Sequence, residues 1–111
     1  MALTEHETGS QLAVVATEHT LNTTSPDGTN AVYQFWLDCS GMLSGDELII
    51  RIYEKVRSSD TQVLVYDDTL SGAQSAPAWV SPSLLLLHGW DFTIEQTTGT
   101  GRSYPWSVRA V

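Results

Sequence analysis

Three stretches of this chain carry residue types that could hold or transform a ligand, and each has a plainer structural use. Gly99-Thr100-Gly101-Arg102 has the glycines of a phosphate cradle. Such cradles open onto a helix whose N-terminus adds its dipole. Here the glycines separate two strand patterns, so a hairpin turn is expected, with Arg102 just beyond it, exposed and placed to touch a partner. Asp67 and Asp68 are adjacent carboxylates, but neighbours along a strand point to opposite faces. They cannot work as a paired general acid and base, and a solvated guard on an edge strand is expected instead. Asp38, Asp46 and Glu47 flank the loop S-G-M-L-S-G without the alternating oxygen ligands of a calcium site.

His6, His19 and His88 are the only histidines, and none stands two or four residues from another His or from Cys39. That spacing offers no metal motif. No G-x-S-x-G occurs either. No catalytic residue, cofactor or metal is therefore expected. The four tryptophans remain as possible sugar-stacking platforms. Trp36, Trp90 and Trp106 sit in alternating segments and are expected in the core. Trp79 lies in S-A-P-A-W-V-S-P and is expected as an exposed contact for sugar or protein. Tyr104 is the second ring that a glycan-binding surface would expose.

The elements that must position these residues are short and alternate with a period of two. D-E-L-I-I-R-I-Y at 46–53 puts Leu48, Ile50 and Ile52 on one side and Ile49, Arg51 and Tyr53 on the other. That is a strand with one buried face. The same beat predicts strands over 11–20, 29–39, 61–70, 83–87, 90–97 and 103–111, in addition to one over 46–56. Turns fall at S-P-D-G (25–28), R-S-S-D (57–60) and T-G-T-G (98–101), with the last two closing hairpins. Residues 71–82 are expected to be irregular, and 83–87 to be covered on both faces. Residues 1–10 are expected as an extended arm, leaving 11–111 as the body. Strands separated by turns about every 8–12 residues imply an all-β, single-domain antiparallel β-sandwich, jelly-roll-like, of about seven or eight strands.

Composition narrows the partners. The chain has 111 residues, the size of one domain, and ten aromatic residues (four Trp, four Tyr, two Phe) able to build a core without disulfides. Cys39 is alone, so no intrachain disulfide is possible. Thirteen acidic residues against five basic give a net charge of −8. Nucleic-acid binding needs Lys and Arg on phosphates, so it is disfavoured, as is adsorption to anionic membranes. The longest apolar run, 84–87, is too short to span a bilayer, and the first residues show no basic or apolar signal-peptide region.

The C-terminal half adds a likeness. W-D-F-T-I-E-Q-T-T-G-T-G-R-S-Y-P-W-S-V-R at 90–109 resembles the ending of small virion proteins of tailed bacteriophages, in which Q-T-x-G-T-x-R precedes an aromatic-x-W strand. L-S-G followed by D-E-L-I-I-R-I-Y-E-K-V, ending at residue 56, is similar to the central strand of that family. The likeness spans about residues 29–111 and implies a capsid decoration (cement) protein or another small virion component. Its partners would be the major capsid protein and copies of itself in a homo-oligomer. Its place would be the capsid surface after synthesis in the host cytoplasm. A carbohydrate- or receptor-binding module of a tail or fibre is the alternative.

Overall fold

In the computed structural model, which describes residues 2–111, the chain forms nine strands. They are β1 (Thr4–Leu12), β2 (Glu18–Thr20), β3 (Ala31–Asp38), β4 (Glu47–Glu54), β5 (Val63–Ser71), β6 (Ala78–Val80), β7 (Leu84–Leu86), β8 (Asp91–Thr98) and β9 (Ser103–Ala110). All pairings are antiparallel. Sheet A has the order β1-β9-β3-β6, with β7 also on β3; sheet B has the order β2-β8-β4-β5. The pairs nest. β4 with β5 is innermost, then β3 with β6 and β7, then β2 with β8, and β1 with β9 is outermost. A long hairpin rolled into two facing sheets has this order, which is that of a jelly roll. The β-sandwich expected from the alternation is the observed fold.

The alternation also decides the core. β4 turns Leu48, Ile50 and Ile52 inward, β3 contributes Tyr33, Phe35 and Leu37, and β9 contributes Tyr104, Trp106 and Val108. Trp90 is fully buried at the centre of an aromatic cluster, with ring centroids 4.8 Å from Tyr33 and 5.3 Å from Phe35. Phe35 in turn lies 4.9 Å from Phe92. These tilted and edge-on contacts suit the quadrupoles of the rings, and each such side chain contributes roughly 3 kcal/mol by area burial.

The chain departs from its local pattern where it crosses between the sheets. The segment expected as one strand over 11–20 is two: β1 ends at Leu12 in sheet A, and β2 begins at Glu18 in sheet B. The supposed arm over 1–10 is mostly β1, paired with β9 from Thr4 to Leu12. Polar residues there gave no inward apolar face to read, because backbone bonding to β9 holds the strand. β8 and β9 do not form a hairpin; they lie in opposite sheets, and 99–102 is the corner between them.

The irregular stretch over 71–82 contains β6, which pairs with β3. β7 is covered on one face only, leaving Leu85 83% exposed. Together β6 and β7 run along β3 as one strand interrupted at Ser81, whose Oγ accepts from the Phe35 N–H at 2.9 Å.

Gly9 of β1 lies opposite Trp106, and a methyl added there would sit 2.9 Å from the indole Cζ2. The ring is packed in the core and cannot yield without strain. Gly9→Ala is expected to lower unfolding stability by about 1–3 kcal/mol, read as a fall in the urea midpoint.

Candidate functional site

Two of the three residues singled out for partner contact, Trp79 and Tyr104, are buried, and the third, Arg102, is held in an ion pair. Trp79 is the middle residue of β6, opposite the buried Leu37, so the pleat turns it inward and leaves it only 8% exposed. Its Nε1 donates to Asp68 Oδ2 at 2.9 Å, tying sheet A to β5 of sheet B. Tyr104 is completely buried, and its hydroxyl donates to Gln96 Oε1 at 3.0 Å. Burial, reinforced by the nearby Asp46 carboxylate, pushes its phenol up to about 12. Arg102 donates through Nε to Asp46 Oδ2 at 2.8 Å, with about a quarter of its side chain exposed. The expected exposure of Trp79 and Tyr104 is thus corrected: strand parity, which irregular-looking flanks concealed, places both inside.

Tyr104 and Arg102 belong to a polar knot under the β8–β9 corner. Gln96, an inward-facing residue of β8, donates Nε2 to the carbonyls of Thr98 and Thr100 at 3.0 and 2.6 Å. Its Oε1 accepts from the Tyr104 hydroxyl and from the Arg102 N–H. Asp46 takes the N–H groups of Leu43 and Thr100 as well as Arg102. Gly99 sits at φ 88° against Asp46, leaving no space for a Cβ. The knot is filled by its own members, and every buried side-chain polar atom among the described residues has a partner. This is architecture and offers nothing to a ligand.

The two outer faces differ. On sheet B, Glu18 Oε2 accepts from Tyr53 at 2.7 Å and Thr93 at 2.6 Å, and Arg51 lies between Glu18 and Glu95 at 3.3 and 3.0 Å. Burial works against ionisation of Glu18, yet the Thr93 and Tyr53 hydroxyls and Arg51 hold its carboxyl below the usual range. The edge strand β5 leaves Val63, Leu64 and Val65 exposed, but the charged centre of this face is internally satisfied.

The outer face of sheet A is not. Trp36, expected in the core, has outward parity in β3 between Val80 and Ser107, and the Arg109 guanidinium lies 3.7 Å from its ring centroid. Arg109 has no carboxylate within ion-pair distance among the described residues. An open groove of ≈ 410 Å³ runs beside them, lined by Glu5, Thr8, Asp38, Pro77 and Pro105 among others. Further along the same strand, Val32, Leu85, Leu87 and Val111 line a second, largely apolar hollow of ≈ 410 Å³. Outward parity of a tryptophan was the available signal: Tyr33, Phe35 and Leu37 already claim the inner face of β3.

The other candidates resolve simply. Asp68 serves Trp79, while Asp67 lies opposite Arg51. His19 Nε2 accepts from the Val14 N–H, and the His88 N–H donates to Glu54. His6 Nε2 lies 2.8 Å from Asp27 Oδ2 and its ring packs on Tyr33 and Trp90. No group of three metal-ligating side chains occurs among the described residues. Cys39 is buried, and burial with Asp38 nearby pushes its thiol up to about 12, so it is held as a thiol. No family model matches the chain, and neither does any curated protein.

The Arg102 hydrogen bond outweighs burial at Asp46, and with the Leu43 and Thr100 N–H groups it holds the carboxyl below the usual carboxylate range. A carboxyl depressed in the folded state adds stability above its unfolded pKa, near 3.9, and loses it as pH falls through the folded value. Asp46→Asn is expected to cost about 2–4 kcal/mol at pH 7. The deficit should shrink steadily below about pH 4 in chemical denaturation at stepped pH.

Proposed function

We propose that this chain is a structural protein of a tailed-bacteriophage virion, a decoration protein that binds the major capsid protein of the head shell and stabilises it. The observation that carries the reading is the inequality of the two outer faces. The charged centre of sheet B is closed off by its own hydrogen bonds and its exposed aliphatic residues lie on the edge strand β5, whereas sheet A presents Trp36 beneath Arg109, a cation with no ion pair among the described residues, beside exposed aliphatic residues. Tryptophan and arginine are the side chains most often found at the energetic centre of an interface. The resemblance of residues 90–109 and 46–56 to small virion proteins supports the same role. So does the charge of −8, which keeps undocked copies soluble and apart.

In this reading sheet A faces the shell and sheet B faces solvent. A rigid jelly roll suits the task, because a lattice is reinforced only by a body that does not deform. Cryo-electron microscopy of virions tests the role directly: this sandwich should account for density on the shell, sheet A inward, and a shell without it removes the proposal.

One observation favours the alternative of a glycan- or receptor-binding module: the groove beside Trp36 combines an aromatic ring with Glu5, Thr8 and Asp38. Against it, Trp79 and Tyr104 are buried, and Arg109 covers the ring that remains. A glycan-array signal abolished by Trp36→Ala would favour that module over the shell.

If sheet A docks on the shell, Trp36→Ala and Arg109→Ala should each weaken binding to undecorated heads by about 2 kcal/mol, some thirtyfold. Thr93→Ala on sheet B should leave binding unchanged. Co-sedimentation with shells measures both.

A further inference from the structure

β1 is the one long strand that contributes no residue to the hydrophobic core. Its attachments are backbone bonds to β9, a few polar contacts (His6 with Asp27, Glu7 with Thr23, Ser10 with Ser103, and Thr8 Oγ1 with the Trp106 carbonyl) and the edge of the His6 ring against Tyr33 and Trp90. Water can replace the hydrogen bonds when the strand leaves, and β1 of another copy would restore the His6 ring contact. The strip of β9 beneath it is different, because Trp106 packs directly against Gly9 there. A strand carrying any side chain opposite Trp106 would collide with the indole. Only a strand with glycine at that register fits.

The link from β1 to β2 carries strain. Ala16 lies at φ 67°, the left-handed region that a residue with a Cβ avoids, and it is the only non-glycine residue there among those described. Its N–H is held to the Gln96 carbonyl at 2.7 Å, which keeps the tight reversal closed. Straightening residues 14–17 would release that strain and swing β1 outward. A strained hinge beside a weakly anchored edge strand is the arrangement that favours exchange.

We propose that the β9 edge is an interaction site for β1 of a second copy, so that chains join by exchanging this strand. The partner is a second copy because its β1 brings the glycine and the polar residues that the strip already accepts in the same register. The exchanged state repeats the intrachain contacts, relieves Ala16 in each chain, and is opposed by the loss of independent motion on association. Its population therefore rises with protein concentration. The proposal concerns the chain in solution and stands whether or not a capsid shell is its destination.

Thr8 and Ser107 are cross-strand partners on the outer face, so they report which chain supplies β1. In an equimolar mixture of Thr8→Cys and Ser107→Cys chains, oxidised after equilibration, a disulfide between positions 8 and 107 can form only across two chains. Peptide mapping by mass spectrometry should find it, increasing from micromolar to millimolar protein. Ala16→Gly in both chains removes the strain from two hinges, about fivefold each, and should lower the interchain product about twentyfold.

Complete absence of that link at every concentration, with the double variant closing the same disulfide only within one chain, would overturn the proposal. Hydrogen exchange on the unsubstituted protein gives an independent reading. β1 amides should exchange at least a hundredfold faster than those of β3, β4 and β8, and equal protection would also overturn it.

Discussion

The fold depends on a buried amide and a buried carboxylate holding one corner. Where β8 ends, the chain must rise out of sheet B, cross the top of the sandwich and enter sheet A as β9. Such a crossing strips several backbone groups of their ladder partners, and each would be expensive to bury unpaired. Gln96 and Asp46 supply the missing partners by capturing the carbonyls of Thr98 and Thr100 and the N–H groups of Thr100 and Arg102. The corner also receives the outermost strands: Arg102 O accepts from Ala13 and Gln96 O accepts from Ala16. One polar knot thus sets the crossing of β8 to β9 and that of β1 to β2.

Nesting follows from these crossings. Because both outer connections pass from one sheet to the other, β1 is left beside β9 and β2 beside β8, and the central strands are enclosed on both flanks. The core gathers where four central strands face each other, around Trp90 and Phe35. The edges then differ in character. β6 and β7 are broken at Ser81 and flanked by prolines, β5 carries Asp67 and Asp68, and β2 is three residues long. These are recognised ways of blunting an edge. β1 is long and lacks both proline and a buried apolar residue. The edge least protected from pairing is the one whose hinge is strained.

The faces show a comparable division. Arg51 holds Glu18 and Glu95 of sheet B in one hydrogen-bonded array, so those charges ask nothing of a partner. Arg109 stacks instead on Trp36, a contact that keeps the guanidinium's donors available while covering the indole. An acidic molecule thereby presents a cation over an outward-facing tryptophan. That placement is what gives the sandwich a direction.

Period-two alternation was enough to read β3, β4, β5, β8 and β9 nearly to their ends, since one apolar face per strand is a local property of side-chain spacing. The same alternation put Leu48, Ile50 and Ile52 on one face, which is buried, and Trp90 and Trp106 in the core. It misplaced Trp36, because hydrophobicity alone does not say which parity of a strand is inward once both parities carry rings. It missed β1, whose stability comes from a neighbour distant in sequence. It read the T-G-T-G corner as a hairpin because a turn looks alike whether the strands it joins pair or part.

Local sequence thus determined that this chain is built of strands, which side of most strands is apolar, and that it is acidic with a single free thiol. Which strands pair, which tryptophan faces outward and where the polar residues converge were decided only on folding. Those properties depend on contacts such as Asp46 with Arg102 and Gly9 with Trp106, made between residues that lie far apart in sequence and meet only when the sheets close.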